Sequence, residues 1–151
     1  MKETQMPPVI VSACLLGVES RYDGSAALSQ ELIEKLRGQA VIPVCPEQMG
    51  GLPTPRCPAE ITEGSGEDVL AGKSKVLRMD GLDVTANYIR GAEQVGHLAE
   101  MFGVKKAYLK AKSPACGAGT ISRNGRPVEG TGVCASLLAK MNVKVISVDS
   151  N

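Results

Sequence analysis

Aromatic and histidine side chains are scarce in this chain, and each scarcity narrows what it can be. There is no tryptophan, Phe102 is the only phenylalanine, and Tyr22, Tyr88 and Tyr108 are the only tyrosines. The core must then be built from Val, Ile, Leu and Ala, as in a covered parallel sheet. His97 is the only histidine; it falls off the apolar stripe of its helical segment and is expected to face solvent. With no histidine in any cysteine-bearing loop, the usual Cys–His nucleophile pair is missing. Charge of one sign is not in excess either. The formal net charge is +1, so nothing drives the whole surface onto a nucleic-acid polymer or an anionic membrane. Lys105, Lys106, Lys110 and Lys112 do cluster, without interleaved aromatics for base stacking. They read either as a solvated strand end or as a means of steering a small anionic or polar ligand. No stretch approaches the roughly 18 apolar residues of a membrane span, and the segment Met1 to Pro8 lacks the apolar core of a secretory signal. A cytoplasmic protein with reduced thiols is expected, and the odd count of five cysteines argues against a closed disulfide set.

What is present suits one compact domain over residues 1–151. Hydrophobic residues make up 43% and charged residues 22%, an ordinary globular balance. Short apolar runs at Val9–Ser12, Val41–Val44, Lys106–Leu109 and Val143–Val148 predict parallel strands. A helix capped near Ser25 or Ser29 and ending near Gly38 is expected to bury Leu28, Leu32, Ile33 and Leu36. The clearest helix runs from Val84 to Phe102, with Val84, Tyr88, Ala92, Val95, Ala99 and Phe102 at helical spacing. Asp83 or Thr85 can cap its start and Gly103 suits its end. A last helix covers Val133 to Met141, with Asn142 as C-cap. Ile61–Glu63 and Lys75–Met79 flank a turn-rich stretch and suggest a small hairpin excursion, and Asn124-Gly125 marks a tight turn. The segment Pro46–Pro58 carries so many Pro and Gly residues that it predicts a rigid functional loop with little regular structure. The expected architecture is an α/β, Rossmann-like sandwich with a mostly parallel sheet.

In such a sheet all parallel strands end at one edge, where ligands bind. Cys14, Cys45 and Cys116 each follow one of these strands, in turns next to Gly or Pro, and are expected to meet there. They lack the short spacing of zinc ribbons. A structural zinc site normally takes four ligands, and a catalytic one usually includes His or carboxylate; sulfur-only ligation favours soft centres, iron–sulfur clusters among them. A four-iron cluster held by three cysteines leaves one iron without a protein ligand, able to act as a Lewis acid towards sulfur or oxygen. Cys57, inside the Pro-rich loop, reads as a fourth ligand, a resolving thiol or neither. Cys134, in the last helix, reads as a small core residue.

Taken in order, Cys14-Leu15-Leu16-Gly17, Arg21-Tyr22-Asp23-Gly24, Cys45-Pro46-Glu47-Gln48-Met49-Gly50-Gly51-Leu52-Pro53-Thr54-Pro55-Arg56 and Pro58-Ala59-Glu60-Ile61 resemble the thiouracil desulfidase family. Gly81-Leu82-Asp83-Val84-Thr85, Leu109-Lys110, Ser113-Pro114-Ala115-Cys116-Gly117 and Gly130-Thr131-Gly132-Val133 continue the likeness over nearly the whole chain. It implies an oxygen-sensitive [4Fe-4S] cluster held by Cys14, Cys45 and Cys116, with one iron not ligated by protein. It also implies non-redox removal of sulfur, as hydrogen sulfide, from 2-thiouracil or a related small thiolated base. Glu47 and Ser113 match the family's active-site acid and serine. The resemblance does not require cysteine at positions 57 and 134.

Other roles stay open at this level. Glu47 serves as general acid or base, or braces its loop; Ser113 orients water or substrate, or shapes a turn. Arg56 anchors a carbonyl oxygen, or ties the loop to a carboxylate such as Asp23 or Glu60. Lys110 neutralises the cluster or caps a strand end, and Tyr22 stacks on a pyrimidine or plugs the core. The rival to an enzyme is a non-catalytic metal-binding or redox-sensing thiolate module, with a cysteine-nucleophile enzyme behind it.

Overall fold

The computed structural model describes residues 6–149. Four strands form its main sheet: β1 (Val9–Ser12), β2 (Val41–Val44), β5 (Lys106–Lys110) and β8 (Lys144–Val148), in spatial order β2-β1-β5-β8. Every pairing is parallel, with Val9 beside Val41, Ile10 beside Ala107 and Lys106 beside Lys144. Side chains alternate across such a sheet. Val9, Val11 and Tyr108 join Leu15, Leu32 and Leu36 on one face, while Ile10, Ala107 and Leu109 join the larger core on the other. The helices α1 (Gln30–Lys35), α4 (Thr85–Met101) and α5 (Val133–Lys140) are those expected from the apolar spacing. Two antiparallel pairs, β3 (Ala59–Ile61) with β4 (Val76–Arg78) and β6 (Thr120–Arg123) with β7 (Arg126–Glu129), stand apart from the main sheet. Asn124 and Gly125, at φ 53° and 72°, make the tight turn of the second pair.

Four local expectations need correction. Pro46–Met49 is a short helix, α2: proline fits the first helical position, where no N–H partner is needed. The turn-rich stretch between β3 and β4 holds another, α3 (Gly66–Leu70), started by Asp68, whose carboxylate accepts the Ser65 N–H at 2.8 Å. Of the two caps expected for the first helix Ser29 serves, its Oγ accepting the Leu32 N–H at 3.2 Å, but Leu28 then lies outside the helix and is exposed rather than on its apolar face. Phe102 is half exposed, because it sits at the C-cap beyond the last turn and Val104 fills the core there instead. Asn142, at φ 63°, and Gly103, at φ 62°, take the left-handed conformation that ends a helix. His97 is exposed on α4, as read from the sequence.

Two close approaches of backbone to backbone set the geometry near the strand ends. A Cβ on Gly91 of α4 would lie 1.9 Å from the Pro46 carbonyl oxygen, and one on Gly50 would lie 2.0 Å from that of Asn87. Only glycine lets α2 rest directly on α4. At the other strand end, the first N–H groups of α5 have no partners within the helix. The loop before β6 supplies them: Val133 N–H donates to the Pro114 carbonyl at 2.8 Å and Cys134 N–H to that of Ala115 at 2.9 Å.

Candidate functional site

The carboxyl ends of β2, β1 and β5 are neighbours, and a cleft of about 470 Å³ opens over them. Cys14, Cys45 and Cys116 all line it, carried there by the turn after β1, the start of α2 and the loop after β5. Glu47, Arg56, Cys57, Lys110, Ser113 and Tyr22 line it as well. Cys134 does not: it is fully buried within α5, in the core role read from the sequence.

The three thiols at the strand ends, Cys14, Cys45 and Cys116, share an environment that works against ionisation. Burial raises the pKa of each. Negative charge on Cys45 and Glu47 adds to the rise at Cys14, where Lys110 and Arg21 oppose it. At Cys116 the Ser12 hydroxyl opposes the rise. Among the described residues no group of three or more His, Cys, Asp or Glu is gathered tightly enough to hold a single metal ion. The thiols border one cleft without closing around one point.

Glu47 sits in the first turn of α2 with 9% of its surface exposed. Its Oε1 accepts the Cys45 thiol at 3.8 Å, and Arg56 Nη2 lies 3.8 Å from its Oε2. Burial raises its pKa and the Arg56 charge pulls it back. Arg56 does pair with a carboxylate, but with Glu47. Asp23 is turned to Ser25, and Glu60 accepts the Asn124 N–H at 2.8 Å. The guanidinium also donates to the Ser20 carbonyl at 3.1 Å and to Thr54 Oγ1 at 2.9 Å, which pins the Pro-rich loop to the turn after β1.

Ser113 Oγ accepts the N–H groups of Ala115 at 3.0 Å and Cys116 at 3.2 Å, so it shapes the turn that presents Cys116 while facing the cleft. Lys110 lies 3.8 Å from Asp149, and burial lowers its pKa. Tyr22 is 43% exposed at the cleft mouth and plugs no core. Two contributors escaped the sequence reading. Ser12, at the end of β1, receives the Lys110 N–H at 2.9 Å and stands beside Cys116. Tyr88, read there only as part of an apolar stripe, lines the cleft from α4. Its signal was a tyrosine at a core position, since a buried phenol asks for a partner.

Comparisons with known proteins identify the family. The model of the family described as 2-thiouracil desulfurase matches residues 9–150. The uncharacterized protein YbbK of Bacillus subtilis (strain 168) is 41% identical over 142 residues, spanning 92% of this chain and 94% of that protein. Among solved structures, the [4Fe-4S]-dependent thiouracil desulfidase TudS superposes with a TM-score of 0.81 at 38% identity, covering 94% of this chain and 91% of that one. On sequence and fold alike, the chain belongs to the 2-thiouracil desulfurase family.

Proposed function

We propose that the protein is an iron–sulfur-dependent desulfidase that converts C=S to C=O on a small thiolated nucleobase such as 2-thiouracil, with Cys14, Cys45 and Cys116 holding a [4Fe-4S] cluster that keeps one iron free of protein ligands. The observation that carries the reading is the single cleft lined by three thiols from three adjacent strand ends in a member of this family. The donor set fits such a group. It is three sulfurs, with no histidine among the described residues that line the cleft.

When bound, the cluster supplies a Lewis acid for the substrate sulfur. The overall change is thioamide plus water giving oxo base plus hydrogen sulfide, with no net oxidation. The chain's own residues then have two tasks, moving protons and placing water and ring. Glu47, partly desolvated and braced by Arg56, takes a proton from water and returns it to the departing sulfur. The Ser113 oxygen is occupied as an acceptor, which leaves its O–H to donate towards water or substrate.

Anaerobic reconstitution followed by sulfide-release assays on a thiobase panel tests the reading. Wild-type protein should bind iron and release sulfide from 2-thiouracil; Cys14→Ala, Cys45→Ala and Cys116→Ala should each lose both. Full iron loading with no sulfide from any thiobase would return the protein to the metal-binding or redox alternative.

A further inference from the structure

Tyr88 lies on the buried face of α4, 4% exposed, in the core with Val84, Ala92 and Val95. A phenol so placed ordinarily finds a hydrogen-bond partner. Among the described residues this hydroxyl makes no hydrogen bond, yet no sealed side-chain nitrogen or oxygen there goes without one. The oxygen is therefore open to the cleft that Tyr88 lines.

The other buried polar side chains of the cleft are committed elsewhere. Ser12 Oγ accepts from Lys110, Ser20 Oγ donates to the Val18 carbonyl, and Glu47 holds Cys45 and Arg56. Among the described residues, Tyr88 presents from a buried wall of the cleft a polar atom with no protein partner. Glu47, Arg56, Cys45 and Cys116 line the same cleft as Tyr88.

We infer that the Tyr88 hydroxyl donates to a ring carbonyl oxygen of the substrate, so that the cleft selects cyclic thioamides bearing a second, oxo acceptor. This rests on the desulfidase reading for the sulfur-bearing carbon and extends it to the rest of the ring. A neutral phenol carries one O–H to donate. A donor fixed in a desolvated wall discriminates more sharply than an apolar wall, because a ring without the acceptor leaves it unpaired.

The test uses reconstituted wild-type and Tyr88→Phe proteins. Uracil is titrated calorimetrically, and sulfide release is followed with 2-thiouracil and with pyrimidine-2-thione, which lacks the ring oxo group. Tyr88→Phe, which keeps the ring and the thermal melt, should weaken uracil binding and raise KM for 2-thiouracil about tenfold, with kcat little changed. Its preference for 2-thiouracil over pyrimidine-2-thione should fall to near one. Unchanged uracil affinity, no uracil binding by wild type, or an undiminished preference in the variant would each overturn the inference. Weaker uracil binding in Tyr88→Phe, with no sulfide released by either protein, would uphold the role of Tyr88 and sink the desulfidase reading alone.

Discussion

Arg56 and Glu47 face each other across 3.8 Å, with only 8% and 11% of their side chains exposed. Removing the cation strands a buried carboxylate, and breaking such a pair costs about 3 kcal/mol. Arg56→Met should therefore lower the melting temperature by roughly 6–12 °C for a chain of this size. Glu47→Gln keeps the Arg56 hydrogen bonds to Ser20 and Thr54. It should fold and load iron normally while sulfide release falls about 10²- to 10⁴-fold. Melts, iron analysis and the sulfide assay separate the two outcomes; normal turnover in Glu47→Gln would remove that residue from the chemistry.

Gly91 offers a second handle on the same helix. An added methyl there meets the Pro46 carbonyl oxygen at 1.9 Å, and backbone cannot swing aside. Gly91→Ala should cost about 2–3 kcal/mol, as overpacking does, and should reduce iron retention because Pro46 follows Cys45. Gly96→Ala is the control. Its methyl would meet only the flexible ends of Leu137 and Met141, at 3.2 Å, and its melt should stay close to wild type.

The fold was readable because its signals are local. Four apolar runs, the long α4 stripe and Asn124-Gly125 each announce their own element. The thiols were readable at one remove, since a parallel sheet sends its strand ends to a common edge. What escaped depends on contacts distant in sequence. Nothing in Arg56 itself points to Glu47 rather than Asp23 or Glu60, and the fit of Pro46 against Gly91 belongs to two segments that meet only in the folded chain. The α2 and α3 helices escaped because proline and glycine are ambiguous punctuation: proline ends a helix from within and starts one at its first turn.

The five thiols should differ in reactivity. Cys57 is partly exposed at the cleft, whereas Cys134 is fully buried and its thiol is pushed far above the usual range. In native metal-free protein, iodoacetamide should label Cys57 well before Cys134, which should react only on unfolding. Mass spectrometry of timed samples reads this directly. Cys57→Ser should keep full iron content after reconstitution; a clear loss would make Cys57 a ligand.

Acid stability carries a signature at the start of α4. Asp83 Oδ1 accepts the Thr85 N–H at 2.8 Å, and bonds from Thr85 hold its carboxyl below the usual range. Because the folded state favours the carboxylate, this support is present above the ordinary pKa of 3.8 and fades as pH falls through the lower folded value. The N-cap of α4 is Val84, not Asp83 or Thr85 as expected from the sequence. Asp83 stands one residue earlier and is exposed, so Asp83→Ala should cost about 0.5 kcal/mol near neutrality, the low end for a hydrogen bond. The penalty should shrink and then vanish as acid protonates the carboxyl in the folded as well as the unfolded state; chemical denaturation at several pH values measures it.

The loop that presents Cys116 is hydrogen-bonded to α5 through main-chain groups, and Gly132 N–H closes the tie on the Gly117 carbonyl at 2.7 Å. The β6–β7 ribbon thus hangs from a sealed base. Its tip is held in turn by Glu60 of β3, whose carboxylate accepts the Asn124 and Gly125 N–H groups at 2.8 and 3.2 Å, and Ser122 and Gly125 border the cleft. The outline of that rim is therefore set jointly by the ribbon and by Glu60 on the neighbouring strand pair.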